Sequence, residues 1–213
     1  MIGYRISRPH ASAPADYIDV TRAAYEGGAV LYRGRTSSFD SFPGLRQEVE
    51  DFADATAGGR ILEVGVGSGR DLELLAQRSV VFPFDLARHF LELLSRPLRV
   101  QGNMLELPYR DGCFDAVWCS ATLLHLTRVD ARVALQEVRR VLIPHGLAAI
   151  SVRVGVGQGW RQTQEMGPRW FTFFQPTTLV ALCTSSDLKV EHQWVRHVGE
   201  RAWLTVLARR RNQ

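Results

Sequence analysis

The sequence predicts an open α/β sheet of seven strands, mostly parallel, with helices on both faces and an antiparallel last strand. Three observations predict it. From residue 60 onward, short apolar runs alternate with segments of helical periodicity, the pattern of a parallel sheet covered on both sides. The chain closes on two strand-like runs, "LKVEHQWVRH" and "RAWLTVLARR", whose short "VGE" link reads as a hairpin. The stretch "RILEVGVGSGRD", Arg60 to Asp71, joins the first apolar run to the first of the alternating helices through a glycine-rich turn, and open sheets bind ligands at such turns.

The elements follow in order. Residues 1–58 read as a helical cap on a core of residues 59–213, the whole forming one domain over 1–213. In the cap, "YIDVTRAAYEGGAVLY" and "GLRQEVEDFADATA" carry apolar residues at helical spacing, and "RGRTSSFDSFPG" reads as the loop between them. In the core, "RILEV" is a buried strand and "GRDLELLAQR" a helix. "SVVFPFD" and "LARHFLELLSR" repeat that pair, and "LRVQGN" is a third strand. "CFDAVWCS" is a fourth, after the turn "PYRDG". "VDARVALQEVRRVL" is an amphipathic helix with Asp130 as its cap. "LAAISVRV" is the fifth strand, and "QPTTLVALCTSS" a helix that opens behind a proline.

Composition narrows the function. Hydrophobic residues make up 46% of 213, enough for a sizeable core, which argues against wholesale disorder. The start "MIGYRISRPH" lacks the apolar region of a secretory leader, and no run reaches the ~18 apolar residues of a membrane span. A cytoplasmic protein without a membrane partner is expected. The net charge of +4 does not mark a nucleic-acid binder. Lys189 is the sole lysine, the arginines are spread along the chain, and the one dense block, Arg209 to Arg211, reads as a solvated tail. Cys113, Cys119 and Cys183 form no CxxC pair and read as free thiols. The scattered histidines provide no zinc site, so no metal is expected.

The glycines ask for a ligand that comes close to the backbone. A dinucleotide fingerprint, G-x-G-x-x-G, is not met, because Arg70 holds the place of its third glycine. A Walker loop needs G-K-[ST], and Lys189 is far away. Nothing in the loop is specialised for phosphate. E-x-G-x-G-x-G after the first strand resembles motif I of class I S-adenosylmethionine-dependent methyltransferases, whose ligand carries none. The likeness runs on in order. Asp85 ends "FPFD", as the family's second strand ends in aspartate. "VQGNMLELPYRDGCFDAVWCSATLLHL" is similar to "GDAEELPFPDGSFDVVWS…LHHL", and "LQEVRRVLIPHGLAAISV" to a helix and strand joined through "KPGG". "RWFTFFQPTTLVALCTSSDLKVEHQ" is similar to the family's later "RY..Y" segment. The resemblance covers roughly residues 60–208 and implies a Rossmann-like fold. Asn103 departs from the usual aspartate, His145-Gly146 from the usual Gly-Gly, and Val66 from a commoner cysteine or alanine.

The resemblance implies roles by position. Gly65, Gly67 and Gly69, with Val66, approach the methionine and ribose of S-adenosylmethionine. Glu63 holds either the loop or the cofactor ammonium. Asp85, beside Leu86, accepts both ribose hydroxyls, a task that needs two acceptor oxygens. Asn103 and Met104 flank the adenine. Cys119 and Ser120 line the cofactor mainly through backbone. Arg70 meets the cofactor carboxylate or simply begins a helix. Tyr25, Tyr32 and Arg33 of the cap either touch that carboxylate or are ordinary helix packing. His125 is a general base or substrate contact, or else a structural histidine. His89 reads as surface. Trp160, Arg161, Trp170, Phe171, Phe173 and Phe174 bracket the region that shapes the acceptor pocket in the family; Trp160, Trp170 and Phe173 are its expected walls, with some of these aromatics serving the core.

The implied activity is methyl transfer from S-adenosylmethionine, leaving S-adenosylhomocysteine, to an oxygen or nitrogen of a small molecule, as in secondary metabolism. A short peptide N-terminal amine is an alternative acceptor, and a non-catalytic cofactor-binding scaffold or regulator is an alternative of another class. The "CSAT" stretch replaces the D-P-P-Y-like motif of enzymes that methylate exocyclic amines of bases. Oligomeric state is left open.

Overall fold

Ile61 and Leu62 are neighbours in sequence and lie on opposite faces of one sheet, each fully buried. That is the signature of a strand covered on both sides, and it recurs across the sheet's centre. The computed structural model describes residues 13–163 and 165–212; the opening stretch read for a leader lies outside them. Among the described residues no helix is long and apolar enough to cross a membrane.

Five parallel strands form the larger part of the sheet: β1 (Arg60–Val64), β2 (Val80–Asp85), β3 (Val100–Gln101), β4 (Phe114–Ser120) and β5 (Leu142–Arg153). A short ribbon, β6 (Gln158–Arg161) with β7 (Arg169–Thr172), stands apart as a two-stranded antiparallel sheet. The hairpin β8 (Leu188–Val198) and β9 (Arg201–Arg210) completes the large sheet in the order β3-β2-β1-β4-β5-β9-β8, with β9 antiparallel to both neighbours. The predicted seven strands and the antiparallel last strand are present.

The helices are α1 (Tyr17–Thr36), α2 (Leu45–Ala55), α3 (Arg70–Leu75), α4 (Arg88–Glu92), α5 (Arg128–Val141) and α6 (Pro176–Ser185). Leu45, Val49 and Phe52 of α2 pack with Leu72 and Leu75 of α3 against Ile61, Ala116 and Trp118. Ala134, Leu135 and Val138 of α5 and Leu179 of α6 pack on the other face against Leu62, Val117 and Ile150. The two predicted cap helices therefore do different jobs. Helix α2 covers the sheet, while α1 lies over the carboxyl ends of the strands, with Ala29, Tyr25 and Tyr32 against Phe90 and Ala87.

Four sequence expectations change. Helix α1 runs on to Thr36, so the expected loop begins at Ser37. The cap of α5 is Thr127, not Asp130: Thr127 Oγ1 accepts from the Asp130 amide at 3.1 Å, and Asp130 sits in the first turn, where its charge suits the helix dipole. The arginine block is no solvated tail. Arg209 and Arg210 end β9, with Arg209 paired to Glu191 and Arg210 donating to the Leu142 carbonyl. The β6–β7 ribbon was not foreseen. His145, at the family's first turn glycine, holds φ 64°, a left-handed conformation that costs a side-chain residue about 1 kcal/mol or more.

Candidate active site

The strand order reverses between β1 and β4, and the crevice of an open sheet opens at such a point. Glu63, Asp85 and Ser120 stand at or near the carboxyl ends of β1, β2 and β4. The turn after β1 reaches α3 through Gly65, Gly67 and Gly69, all at positive φ. Gly65 is the most constrained of the three. A Cβ there lies 1.9 Å from Thr122 Oγ1, and Thr122 is itself tied to the Val64 carbonyl at 3.1 Å. No other residue fits without moving Thr122.

Asp85 fastens this loop to the second strand. Its Oδ2 accepts from the Gly67 amide at 3.0 Å and its Oδ1 from the Ala87 amide at 2.8 Å. The residue is 8% exposed. Burial pushes its carboxyl up to about 6, and the two amides hold it from rising further. Glu63 is 2% exposed, and its Oε2 has no hydrogen-bond partner. Burial, reinforced by the charge of Asp71, drives its carboxyl well above the carboxylate range. Arg70 and Asp71 begin α3 as a buried pair at 2.7 Å, and Trp118 Nε1 donates to Asp71 at 3.0 Å. Arg70 also stacks over Phe42 and donates to the Thr36 carbonyl, so it joins the loop to the end of α1.

Two cavities meet here. A narrow one of about 110 Å³ is lined by Gly65, Asp85, Leu86, Asn103, Met104 and Phe90, among others. A larger one of about 520 Å³ is lined by Glu63, Val66, Arg70, Arg161, Arg169 and Phe171, among others. Tyr25, Tyr32, Gly65, Gly67, Ser120, Ala121 and His125 form the wall they share. Ala121 holds φ 57°, a strained backbone at the junction.

His125 presents no free nitrogen to either cavity. Nδ1 lies 2.7 Å from the Trp170 carbonyl and Nε2 lies 2.8 Å from the Tyr25 hydroxyl. A carbonyl only accepts, so Nδ1 carries the proton and Nε2 accepts from Tyr25. Burial lowers the imidazole to about 4, so it is neutral at neutral pH. Burial also raises the Tyr25 phenol, with Arg169 pulling the other way.

Most of the expected residues come together and several do not. Asn103 lines the narrow cavity, but its Oδ1 already accepts from the Leu105 amide at 3.0 Å. Gly69 begins α3 away from both cavities, with Leu94 where a Cβ would stand. The Cys119 side chain enters the core on the α5 face, where burial lifts its thiol to about 12. Arg33 donates to the Leu93 carbonyl, and His89 contacts Glu26 at the surface. Trp160 and Trp170 line neither cavity. They are partners on β6 and β7, and alternation turns them to the face that packs on Tyr17. The opposite face of the ribbon carries Arg161, Arg169 and Phe171, and Phe173 follows. Phe174 is fully buried in the core. Asp71, Trp118, Thr122 and Ala121 were missed; Asp71 alone left a signal, an acid in the first turn after a glycine loop.

Comparison with known proteins bears directly on this crevice. Residues 62–150, from β1 through most of β5, match the family described as a methyltransferase domain. Over these residues the chain is similar to a methyltransferase domain. The chain is 28% identical over 119 residues to the methyltransferase GfsG of Streptomyces halstedii, covering 50% of this chain and 42% of that one. It is 31% identical over 138 residues to a malonyl-[acyl-carrier protein] O-methyltransferase of Geobacter sulfurreducens, covering 57% and 51%. The chain thus spans about half the length of the curated relatives it matches. Among solved structures, the 1,6-didemethyltoxoflavin-N1-methyltransferase of Burkholderia thailandensis, with S-adenosylhomocysteine bound, superposes with a TM-score of 0.76 at 19% identity, covering 97% of this chain and 94% of that one. The [4+2]-cyclase SpnF superposes at 0.70 and 15% identity, covering 97% and 100%. This fold therefore serves other chemistry besides methyl transfer, and the fold alone does not fix the reaction.

Proposed function

We propose that this chain transfers a methyl group from S-adenosylmethionine to an oxygen or nitrogen of a small molecule. The observation that carries the reading is the shared wall: a narrow cavity lined by the buried Asp85 carboxylate meets a wider one at the glycine turn. The donor belongs in the first and the acceptor in the second.

The residues fit that donor. Asp85 keeps lone pairs on both oxygens beyond the two amides it binds, enough for two ribose hydroxyls. Glu63 Oε2, buried without a partner, suits an ammonium, which would also favour its ionised form. Leu86, Asn103 and Met104 would flank the adenine. When bound, S-adenosylmethionine supplies a methyl already activated on a sulfonium, and S-adenosylhomocysteine remains. The chain's task is then to align a nucleophile and exclude water. Tyr25, whose proton goes to His125 and whose oxygen faces Arg169, fixes the side of the shared wall nearest His125. An imidazole near 4 is a weak base, so the site favours an acceptor atom that arrives nucleophilic, such as a neutral amine or an ionised acid.

Titration of the chain with S-adenosylhomocysteine tests the donor site, with micromolar binding expected; no binding would sink the reading. An acceptor screen by mass gain of one methyl tests the transfer. Binding without transfer to any acceptor class, peptide amines included, would leave a cofactor-binding scaffold.

A further inference from the structure

Arg161 and Arg169 are direct partners across the β6–β7 ribbon. Residues so paired share a face with their Cβ atoms about 5 Å apart, and like charges there destabilise the pair. Among the described residues, no carboxylate lies within ion-pair distance of either. Three other arginines of the larger cavity are matched by carboxylates: Arg35 by Glu165, Arg70 by Asp71 and Arg196 by Glu48. Arg169 is 7% exposed, and its Nε has no hydrogen-bond partner. Its polar neighbour is the Tyr25 phenol, which is neutral, so the buried charge is costly unless something anionic answers it.

The aromatic surroundings say what else the ligand carries. Arg169 lies 5.5 Å over the Phe171 ring and Arg161 lies 5.3 Å over Phe173. Phe171 and Phe173 are stacked at 6.5 Å with 24° between their planes. Cationic forks thus border a flat apolar wall. A guanidinium pair matches the two oxygens of a carboxylate, or those of a phosphate, in a way that a point charge does not.

Building on the methyltransferase reading above, we propose that the larger cavity selects acceptors bearing an anionic group, seated between Arg161 and Arg169, with a planar apolar body against Phe171 and Phe173. The anion joins two arginines that repel each other without it. The acceptor class is an aromatic or similarly flat organic acid.

The test uses the whole chain saturated with S-adenosylhomocysteine, titrated with 1-naphthoate, 1-naphthyl phosphate and uncharged 1-naphthamide. At least one of the two anions is expected to bind tenfold or more tighter than the amide, and which one separates carboxylate from phosphate. Arg161→Glu and Arg169→Gln should each abolish that preference while S-adenosylhomocysteine affinity stays within threefold of wild type. Arg161 is only half-buried, so its variant remains informative if Arg169→Gln folds poorly. Equal affinity for anions and amide, or no binding of either anion, overturns the proposal and leaves the methyltransferase reading intact. A tenfold loss of S-adenosylhomocysteine affinity in both variants also overturns it, by assigning the arginines to the cofactor carboxylate. Failure of wild type to bind S-adenosylhomocysteine overturns both readings.

Discussion

Tyr25 of α1 donates its hydroxyl proton to His125 Nε2 at 2.8 Å, linking the helix over the site to the turn that follows β4. The Trp170 carbonyl fixes the tautomer, so one hydrogen-bonded chain aligns three elements around the shared wall. This makes His125 a positioning residue for Tyr25. His125→Phe, which keeps a ring and loses both bonds, should lower turnover about tenfold or more while S-adenosylhomocysteine affinity changes little. His125→Gln, still able to accept from Tyr25, should retain more activity than the phenylalanine variant. Parallel steady-state kinetics and calorimetry check this, and equal turnover in all three proteins would leave His125 purely structural.

The same histidine gives a pH signature in stability. Its folded pKa of about 4 lies below the ordinary 6.5. Above pH 6.5 neither folded nor unfolded chain is charged there, and the contribution is fully present. As pH falls from 6.5 toward 4, only the unfolded chain takes the proton, and up to about 3 kcal/mol is lost. Asp85 acts oppositely, because its raised carboxyl gains its proton first in the folded state. Wild type alone therefore mixes the two. The stability gap between wild type and His125→Gln isolates the histidine and should shrink between pH 7 and pH 4 in urea unfolding.

Much of this was legible in the sequence, for reasons that its exceptions make plain. Strands such as "RILEV" and "CFDAVWCS" are apolar on both faces, and only a doubly covered sheet uses such runs. Asp85 and the glycine turn were legible because each does a task that few residue types can do. Trp160 and Trp170 were misread because composition marks an aromatic cluster, whereas the face each ring takes depends on the ribbon's register. Arg161 was noted only as part of that cluster, and its pairing with Arg169 needs the fold. Cys119 followed the same logic: its neighbour Ser120 reaches the cavity, and alternation sends Cys119 to the core.

Asp85 is expected to dominate cofactor affinity. Asp85→Ala removes an ionised acceptor pair and unfastens the Gly67 amide, so S-adenosylhomocysteine should bind ten- to a hundredfold more weakly. Because the wild-type carboxyl sits at about 6, it is mostly ionised at pH 7 and mostly protonated at pH 5. Affinity should fall about tenfold over that interval. Asp85→Asn should be weak throughout and flat with pH. A wild-type affinity that does not change between pH 7 and pH 5 would count against the ribose role.

Gly65 and Thr122 form a steric pair. An alanine at position 65 meets Thr122 Oγ1 at 1.9 Å and must also hold φ 77°. Gly65→Ala should cost about 2 kcal/mol or more of stability and abolish measurable cofactor binding. Thr122→Gly in the same chain clears the contact but leaves the backbone strain, so part of the stability should return. The double-mutant cycle should show a coupling of about 1 kcal/mol. Strict additivity would mean that the backbone conformation alone excludes a side chain there.

Asp71 tests whether the glycine turn depends on what lies beneath it. Its buried carboxylate is held by Arg70 at 2.7 Å, at the edge of the larger cavity, and by the buried Trp118 Nε1 at 3.0 Å. Asp71→Ala removes the carboxylate that pairs Arg70, leaving it only the Thr36 carbonyl, and strips the buried indole N–H of its acceptor, a loss of about 2 kcal/mol or more. Asp71→Asn keeps an acceptor for the indole and should cost roughly half of that. Trp118 reports the change directly, since it faces Phe52 with ring centroids 5.0 Å apart and its fluorescence follows its surroundings. Arg70 starts α3 immediately after Gly69, so loosening it frees the turn that carries Gly65 and Gly67. Cofactor affinity should therefore fall in the order wild type, Asp71→Asn, Asp71→Ala, in step with the loss of stability. Reduced stability with unchanged affinity would show that the turn holds its shape without the buried pair.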